Sequence, residues 1–199
     1  VLVHGGAGGV GLAALDLARD LEVEVLATAG SAEKCERLEA MGVVKAINYR
    51  ESDYPTEVRA HLRGRGVDLI LDPLGPESFQ KGMDLLEPLG RIVCYGFSSL
   101  VTGPKRRLWH AALSVLKTHK VSPITLMNAN KGVFGLNLAH LFDQKAKIRE
   151  GLAGLRERLE IGAIRPTLDR TFPVSAEGAA DAHEHLHARR NFGKVVLVR

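Results

Sequence analysis

Val1-Leu2-Val3-His4-Gly5-Gly6-Ala7-Gly8-Gly9-Val10-Gly11 is the stretch whose reading decides the fold. Its first three residues are a short apolar run of strand type. His4 then leads into Gly6, Gly8 and Gly11, which fit G-x-G-x-x-G with Ala7, Gly9 and Val10 as the intervening residues. Beyond Gly11, Leu12, Leu15 and Ala18 recur at helical spacing with Asp16, Arg19 and Asp20 on the other side, so a helix is predicted to about Asp20. Strand, glycine turn and helix, in that order, are what a dinucleotide site requires. One glycine makes the tight turn, a second lets backbone N–H groups approach a pyrophosphate, and a third lets the helix pack close to the strand. The helix N-terminus adds donors that have no intrahelical partner and a partial positive charge. Five glycines in seven residues also suit a flexible loop, and the pattern alone leaves both readings open.

The next elements bear on the choice of dinucleotide. Val23 to Thr28 is rich in β-branched and apolar residues and reads as a second strand. An NAD site places an Asp or Glu at the end of this strand, on the ribose 2′-OH; here the strand ends in Thr28-Ala29-Gly30-Ser31, with no acid. Ser31 opens a helix carrying Cys35, Leu38 and Met41 on one face and stopping at Gly42, so Ser31 reads as its N-cap. Lys34 falls in the first turn of that helix, where the macrodipole disfavours a cation. An anion shared by Lys34, the Ser31 hydroxyl and the helix N-terminus would compensate, and the 2′-phosphate of NADP is such an anion. A solvated lysine that tolerates a small penalty is the other reading. Val44 to Tyr49 forms a third strand, and Tyr49 at its end either packs or reaches the adenine and the same phosphate.

The alternation continues through a helix at Tyr54–Leu62, a nearly continuous apolar strand at Gly66–Asp72, a Pro73-Leu74-Gly75-Pro76 turn, a helix at Glu77–Leu86 and a strand at Arg91–Tyr95. Strands separated by helices imply a doubly wound parallel sheet. Its ligands lie off the C-terminal strand ends, at the turns after residues 28, 49, 72 and 95. Residues 97–130 interrupt the rhythm with Gly103-Pro104, Lys105-Arg106-Arg107 and a helical stripe of Leu108, Trp109, Ala112 and Leu116; an excursion of this length reads as a lid or a partner surface. A sixth strand at 133–138 and an amphipathic helix at Lys145–Ile161 complete a six-stranded Rossmann-type domain over residues 1–162. From Ile164 the short pieces Thr167–Phe172, Ser175–His187 and Val195–Val198 do not extend that sheet, so residues 163–199 are assigned to a second domain. His183 and His187 share a face of its helix at metal-ligand spacing, with His185 nearby, but no Glu stands in H-E-x-x-H register and no Cys is near, so a solvated helix face is expected and no metal.

Composition excludes several classes. A chain of 199 residues with 45% hydrophobic and 25% charged content buries a full core and has an ordinary soluble balance. The net charge of +4 and pI near 9.2 come from scattered Lys and Arg, so no nucleic-acid partner is expected. Cys35 and Cys94 are too few for a disulfide framework and read as reduced thiols in a cytoplasmic setting. No apolar run reaches membrane-spanning length, and no signal-peptide pattern precedes the first strand. The chain has no initiator Met and starts inside a strand, as a piece of a longer polypeptide would.

Ala7-Gly8-Gly9-Val10-Gly11, Gly30-Ser31-Ala32-Glu33-Lys34, Ile47-Asn48-Tyr49-Arg50, Val67 to Gly75 and Gly193-Lys194-Val195-Val196-Leu197 together resemble the zinc-independent quinone-reductase branch of the medium-chain dehydrogenases/reductases. The resemblance runs nearly end to end. Asp72-Pro73-Leu74-Gly75, Thr102-Gly103-Pro104-Lys105-Arg106 and Ala129-Asn130-Lys131 look like the vesicle amine transport protein homologues within it. It implies hydride transfer from NADPH to a quinone or to the double bond of an α,β-unsaturated carbonyl compound, an enone, without metal. It implies that Gly8 to Gly11 hold the pyrophosphate and that Ser31, Lys34 and Tyr49 hold the 2′-phosphate. Tyr95, Phe97, Leu136 and Asn137 would lie near the nicotinamide, the family varying at Tyr95 and Asn137, and Asn191 would touch the cofactor from the returning tail. A homodimer paired through the sixth strands, residues 133–138, is implied as well. The family's N-terminal barrel-like (GroES-like) domain is missing from this chain while the tail that completes it, 163–199, is present; the chain so read binds cofactor and is a poor catalyst alone. No residue is singled out as proton donor, although Tyr95 and the histidines are available. Two further functions stay open: an NADPH-binding regulatory or membrane-associated protein with little turnover, and an enoyl-reductase module of a larger synthase.

Overall fold

The first strand, β1 (Leu2–Val3), is followed by α1 (Gly9–Asp20), β2 (Leu26–Ala29), α2 (Ala32–Ala40), β3 (Lys45–Asn48), α3 (Tyr54–His61), β4 (Val67–Asp72), α4 (Pro76–Leu85) and β5 (Leu86–Cys94). The structure, a computed structural model, describes residues 1–97 and 121–199. The basic run at Lys105–Arg107 and the stripe from Leu108 to Leu116 lie outside the described residues. The chain continues with α5 (Pro123–Ala129), β6 (Gly132–Gly135), a 3₁₀ turn (Leu138–Leu141), α6 (Lys145–Glu160), β7 (Leu168–Pro173), α7 (Ala176–His187) and β8 (Lys194–Val198). Six strands make one sheet in the order β3-β2-β1-β4-β5-β6, with parallel neighbours, and β7 and β8 make a separate parallel pair. The order 3-2-1-4-5-6 is that of the doubly wound Rossmann fold.

Two compact units divide the chain: Val1–His4 with Tyr49–Ile148, and Gly5–Asn48 with Arg149–Arg199. In the first, Leu2 pairs with Ile70 and Val3 with Leu71, and Ile70 stands beside Ile92 of β5. All three of Leu2, Ile70 and Ile92 are fully buried, as expected of strands read as near-continuous apolar runs. Strand β5 begins at Leu86, directly after α4, rather than at Arg91. Its register against β4 shifts between Val67 and Leu69, and this irregularity admits Pro88 and the left-handed Leu89 (φ 68°), whose N–H donates to Asn130 O. Strand β6 stops at Gly135 instead of running to Leu138. The side chain of Asn137 accepts from Ala139 N–H at 3.1 Å and starts the 3₁₀ turn, which ends the ladder there.

In the second unit Leu26 to Ala29 pair in register with Lys45 to Asn48. Ser31 caps α2 as the sequence predicts, its Oγ accepting from Lys34 N–H at 3.3 Å. Asp16 of α1 is buried; it accepts from the Arg19 guanidinium at 2.7 Å and from Arg165 N–H at 3.2 Å. Ser175 caps α7 through Gly178 N–H, and the segment from Gly193 returns along β7, paired from Leu168↔Lys194 to Pro173↔Val198 with a register shift between Leu168 and Arg170. Among the described residues no helix is long and apolar enough to cross a membrane.

Candidate functional site

The glycine loop is built by sterics that admit no side chain at two of its positions. A Cβ on Gly11 would lie 2.5 Å from Gly5 O and 2.6 Å from Gly6 O, both backbone atoms. One on Gly6 would lie 2.8 Å from the Ala27 Cβ of β2 and 3.3 Å from Leu38 Cδ1 of α2. The loop is tied to the end of β2, where Gly6 N–H donates to Thr28 O at 2.9 Å and Gly5 N–H to Thr28 Oγ1 at 3.3 Å. Gly8 is the N-cap of α1, and the first turn, Gly9-Val10-Gly11, carries no acidic residue. The amides of that turn therefore present their positive end with no carboxylate in competition. Val10 points outward, 60% exposed. A pyrophosphate that approaches backbone closely fits such a helix N-terminus, and the missing Cβ at Gly11 lets α1 start directly against the loop backbone.

Gly30 and Ser31 follow β2 directly, and Lys34 lies in the first turn of α2. The Lys34 ammonium has partners that the sequence did not reveal. Nζ donates to the carbonyls of Arg189 and Asn191, at 2.7 Å each, which stabilises the cation at a helix N-terminus from within the chain. Asn191 Nδ2 donates to Gly193 O at 3.2 Å, and Gly193 N–H donates to Ala7 O at 2.9 Å. The structure thus brings Gly6, Gly8, Gly9, Val10, Gly11, Gly30, Ser31, Lys34 and Asn191 into one unit.

Tyr49, Tyr95, Phe97, Leu136 and Asn137 belong to the other unit. Tyr49 follows β3 directly and is exposed. Tyr95 N–H donates to Asp72 O at 3.0 Å, and burial, aided by the Asp72 charge, pushes its phenol up to about 12. Phe97 is 62% exposed, and Leu136 N–H donates to Cys94 O at 2.8 Å.

Two polar clusters escaped the sequence reading. At the C-terminal end of β4, the fully buried Asp72 carboxylate accepts from Leu74 N–H at 2.6 Å and from the Ser78 hydroxyl. Around it stand His4, whose ring meets Tyr54 edge-on at 4.6 Å, and Tyr54, whose hydroxyl donates to Ser78 O at 3.2 Å. Burial drives the His4 imidazole down to about 4, partly opposed by Asp72, and drives the Tyr54 phenol upward. The same burial lifts the Cys94 thiol to about 11. A lone His before the glycine run and an acid closing an apolar strand were the available signals. The second cluster lies on α7, off the solvated face that His183 and His187 form. His183 and His187 are exposed and stack at 6.3 Å, but His185 is buried, with Nε2 2.6 Å from Asp169 Oδ2. Against the upward push of partial burial, the bonds from Phe192 N–H and His185 hold the Asp169 carboxyl below its ordinary value. No local pattern joins residues on a strand and on a helix in this way. Among the described residues no group of three or more His, Cys, Asp or Glu is placed to hold a metal ion.

Residues 41–197 match the family model described as zinc-binding dehydrogenase. The chain is similar to the human synaptic vesicle membrane protein VAT-1 homolog, with 40% identity over 199 residues that cover all of this chain and 50% of the relative. It is 30% identical over 200 residues to a 2-haloacrylate reductase of Burkholderia sp., covering 100% of this chain and 55% of that protein. Among solved structures, mycobacterial Rv1454c complexed with NADPH matches with a TM-score of 0.76 and 27% identity over 99% of this chain and 57% of its own. The chain spans about half the length of the curated relatives it matches. With its 3-2-1-4-5-6 sheet and glycine cradle, the chain belongs to the zinc-binding dehydrogenase family, in the quinone oxidoreductase and VAT-1 subgroup of the medium-chain dehydrogenases/reductases.

Proposed function

We propose that this chain is the cofactor-holding part of an NADPH-dependent reductase that passes hydride to a quinone or an enone. The observation that carries the reading is the end of β2, where Gly30 and Ser31 stand in place of a carboxylate and Lys34 occupies the first turn of the next helix. A carboxylate there would accept from a ribose 2′-OH and repel a 2′-phosphate; a hydroxyl and an ammonium do the reverse. NADPH, when bound, supplies the hydride, and the protein supplies binding, orientation and electrostatics. Gly8 to Gly11 hold the pyrophosphate on the α1 amides, Ser31, Lys34 and Tyr49 hold the 2′-phosphate, and Asn191 meets the cofactor from the tail. Tyr95, Phe97, Leu136 and Asn137 serve the nicotinamide side. Tyr95, with its raised phenol, stays protonated at neutral pH.

Residues 1–162 then form the cofactor domain, and 163–199, with the β7–β8 pair, belong to a barrel-like domain completed by chain beyond this stretch. The edge strand β6 exposes Val133 and Phe134, which suits pairing with a second copy through residues 132–135. A cytoplasmic setting fits two thiols not joined in a disulfide. The test uses the full-length protein: calorimetric titration with NADPH and NADH, then NADPH oxidation across a panel of quinones and enones. Lys34→Ala is expected to weaken NADPH by about tenfold or more while leaving NADH nearly unchanged, the size of one lost charge-assisted bond. Equal effects on the two nucleotides would remove Lys34 from phosphate recognition, and no oxidation above background would remove the enzyme.

A further inference from the structure

Residues 189–193 turn the chain from α7 into β8, and the turn is constrained well beyond what a surface connection needs. Arg189 is left-handed at φ 54° and Gly193 sits at φ 112°, where a Cβ would come within 2.6 Å of Thr167 O. Each part of the turn has its own anchor. The Lys34 ammonium holds the carbonyls of Arg189 and Asn191. Gly193 N–H is held by Ala7 O of the glycine loop. The buried Phe192 ring lies under the Arg37 guanidinium at 3.7 Å, and its N–H donates to Asp169 Oδ1 at 3.0 Å. The second oxygen of that carboxylate is taken by His185 at 2.6 Å, with His185 only 7% exposed. Asp169 is therefore spent entirely on fixing one backbone amide and one buried ring.

We propose that Asp169 and His185 are positioning residues for cofactor selection: they hold the 189–193 turn, and the turn's carbonyls set where the Lys34 ammonium sits. Neither side chain touches the cofactor. A lysine side chain has many rotamers, and its ammonium has a defined place here because two carbonyls 155 and 157 residues further along the chain receive it. The Asn191 carbonyl keeps its place because the next amide, Phe192 N–H, is bonded to Asp169, while the Arg189 end of the turn is tied to α7 by Arg189 N–H to Leu186 O and Arg190 N–H to His185 O. If the carboxylate is removed, a buried amide loses its acceptor and the Asn191 carbonyl before it is no longer held in place. The ammonium then follows its acceptors. The nearby Glu184–Arg190 pair, at 3.4 Å between exposed side chains, is too weak to hold the turn by itself. Arg170 also faces the Asp169 charge from β7 and does not reach the turn amide.

The proposal rests on the reading of Lys34 as the cation for the 2′-phosphate, and the experiment separates the two. In the full-length protein, hydrogen exchange at the Phe192 amide is measured without nucleotide, and NADPH and NADH are titrated calorimetrically. The wild type is compared with Asp169→Ala, His185→Leu and Asp169→Asn. The Phe192 amide should be protected in the wild type and exchange at least about tenfold faster in Asp169→Ala, as loss of one hydrogen bond implies. NADPH should bind about tenfold more weakly in Asp169→Ala and His185→Leu with NADH nearly unchanged, so the ratio of the two affinities moves, which general destabilisation would not do. Asp169→Asn keeps an acceptor for the amide and should recover most of the preference. If Asp169→Ala does not fold, His185→Leu and Asp169→Asn carry the same comparison. A wild type that prefers NADPH together with variants whose affinity ratio is unchanged overturns the positioning role alone. A wild type with no preference between the nucleotides overturns the reading of Lys34, and the positioning role with it.

Discussion

Gly11→Ala is the most demanding test of the glycine cradle, because the added methyl has nowhere to go. Its Cβ would lie 2.5, 2.6 and 2.7 Å from Gly5 O, Gly6 O and Gly6 C, all of them backbone, while ordinary contact begins near 3.4 Å. No rotamer change absorbs a deficit of about 0.9 Å, so the start of α1 must move away from the loop. Overpacking of this kind costs about 1–3 kcal/mol, and the better helix propensity of Ala returns about 1 kcal/mol. A net loss of about 1 kcal/mol is expected, which lowers Tm by about 2–4 °C in a chain of this size. Binding is expected to suffer more, since the shifted amides are those proposed to hold the phosphates. Misaligning one or two charge-assisted bonds raises the NADPH Kd about 10- to 100-fold. Thermal unfolding and calorimetry on the full-length protein read the two effects separately. Gly151→Ala is the control: Gly151 lies inside α6 with nothing within 4 Å of its added Cβ, and the change should stabilise by up to about 1 kcal/mol. If Gly11→Ala binds NADPH with unchanged affinity, the cradle is not the pyrophosphate site.

His4 is fully buried with its imidazole lowered from 6.5 to about 4, so the folded protein favours the neutral ring. That preference is complete above the unfolded value and is lost as pH falls from 6.5 toward 4. Urea unfolding should show a decline on the order of 3 kcal/mol across that window, and His4→Leu should flatten it. Asp72→Ala leaves the Leu74 amide and the Ser78 hydroxyl without their acceptor and should cost about 2–4 kcal/mol by urea unfolding, whereas a loss below about 0.5 kcal/mol would mean that the cluster is not holding the end of β4. With its thiol lifted to about 11, Cys94 should alkylate slowly at neutral pH, the rate climbing about tenfold per pH unit up to that value; fast labelling at pH 7 would contradict the burial that raises it.

Much of the fold was legible before any coordinates. The alternation of strands and helices, the near-continuous apolar run of β4 and the cap at Ser31 follow from hydrophobic period and local sterics, which act over a few residues. Errors fell where local pattern and sheet pairing compete. Strand β5 starts five residues before Arg91 because a register shift lets Pro88 and Leu89 stay in the strand. Strand β6 stops early because the side chain of Asn137 offers the backbone a turn.

The sequence by itself determined the glycine loop, the missing carboxylate after β2 and the residue types available to meet a phosphate, since these depend on spacing along the chain. Tertiary structure alone decided which polar groups meet. Lys34 is received by carbonyls at Arg189 and Asn191, His185 turns inward to Asp169, and Asp72 gathers Ser78 and Leu74 at the buried end of β4. The physical reason is that a buried polar group must find a partner wherever the fold brings one. For His185 that partner, Asp169, comes from a separate element, as do the carbonyls that receive the half-buried Lys34, and no periodicity encodes the choice.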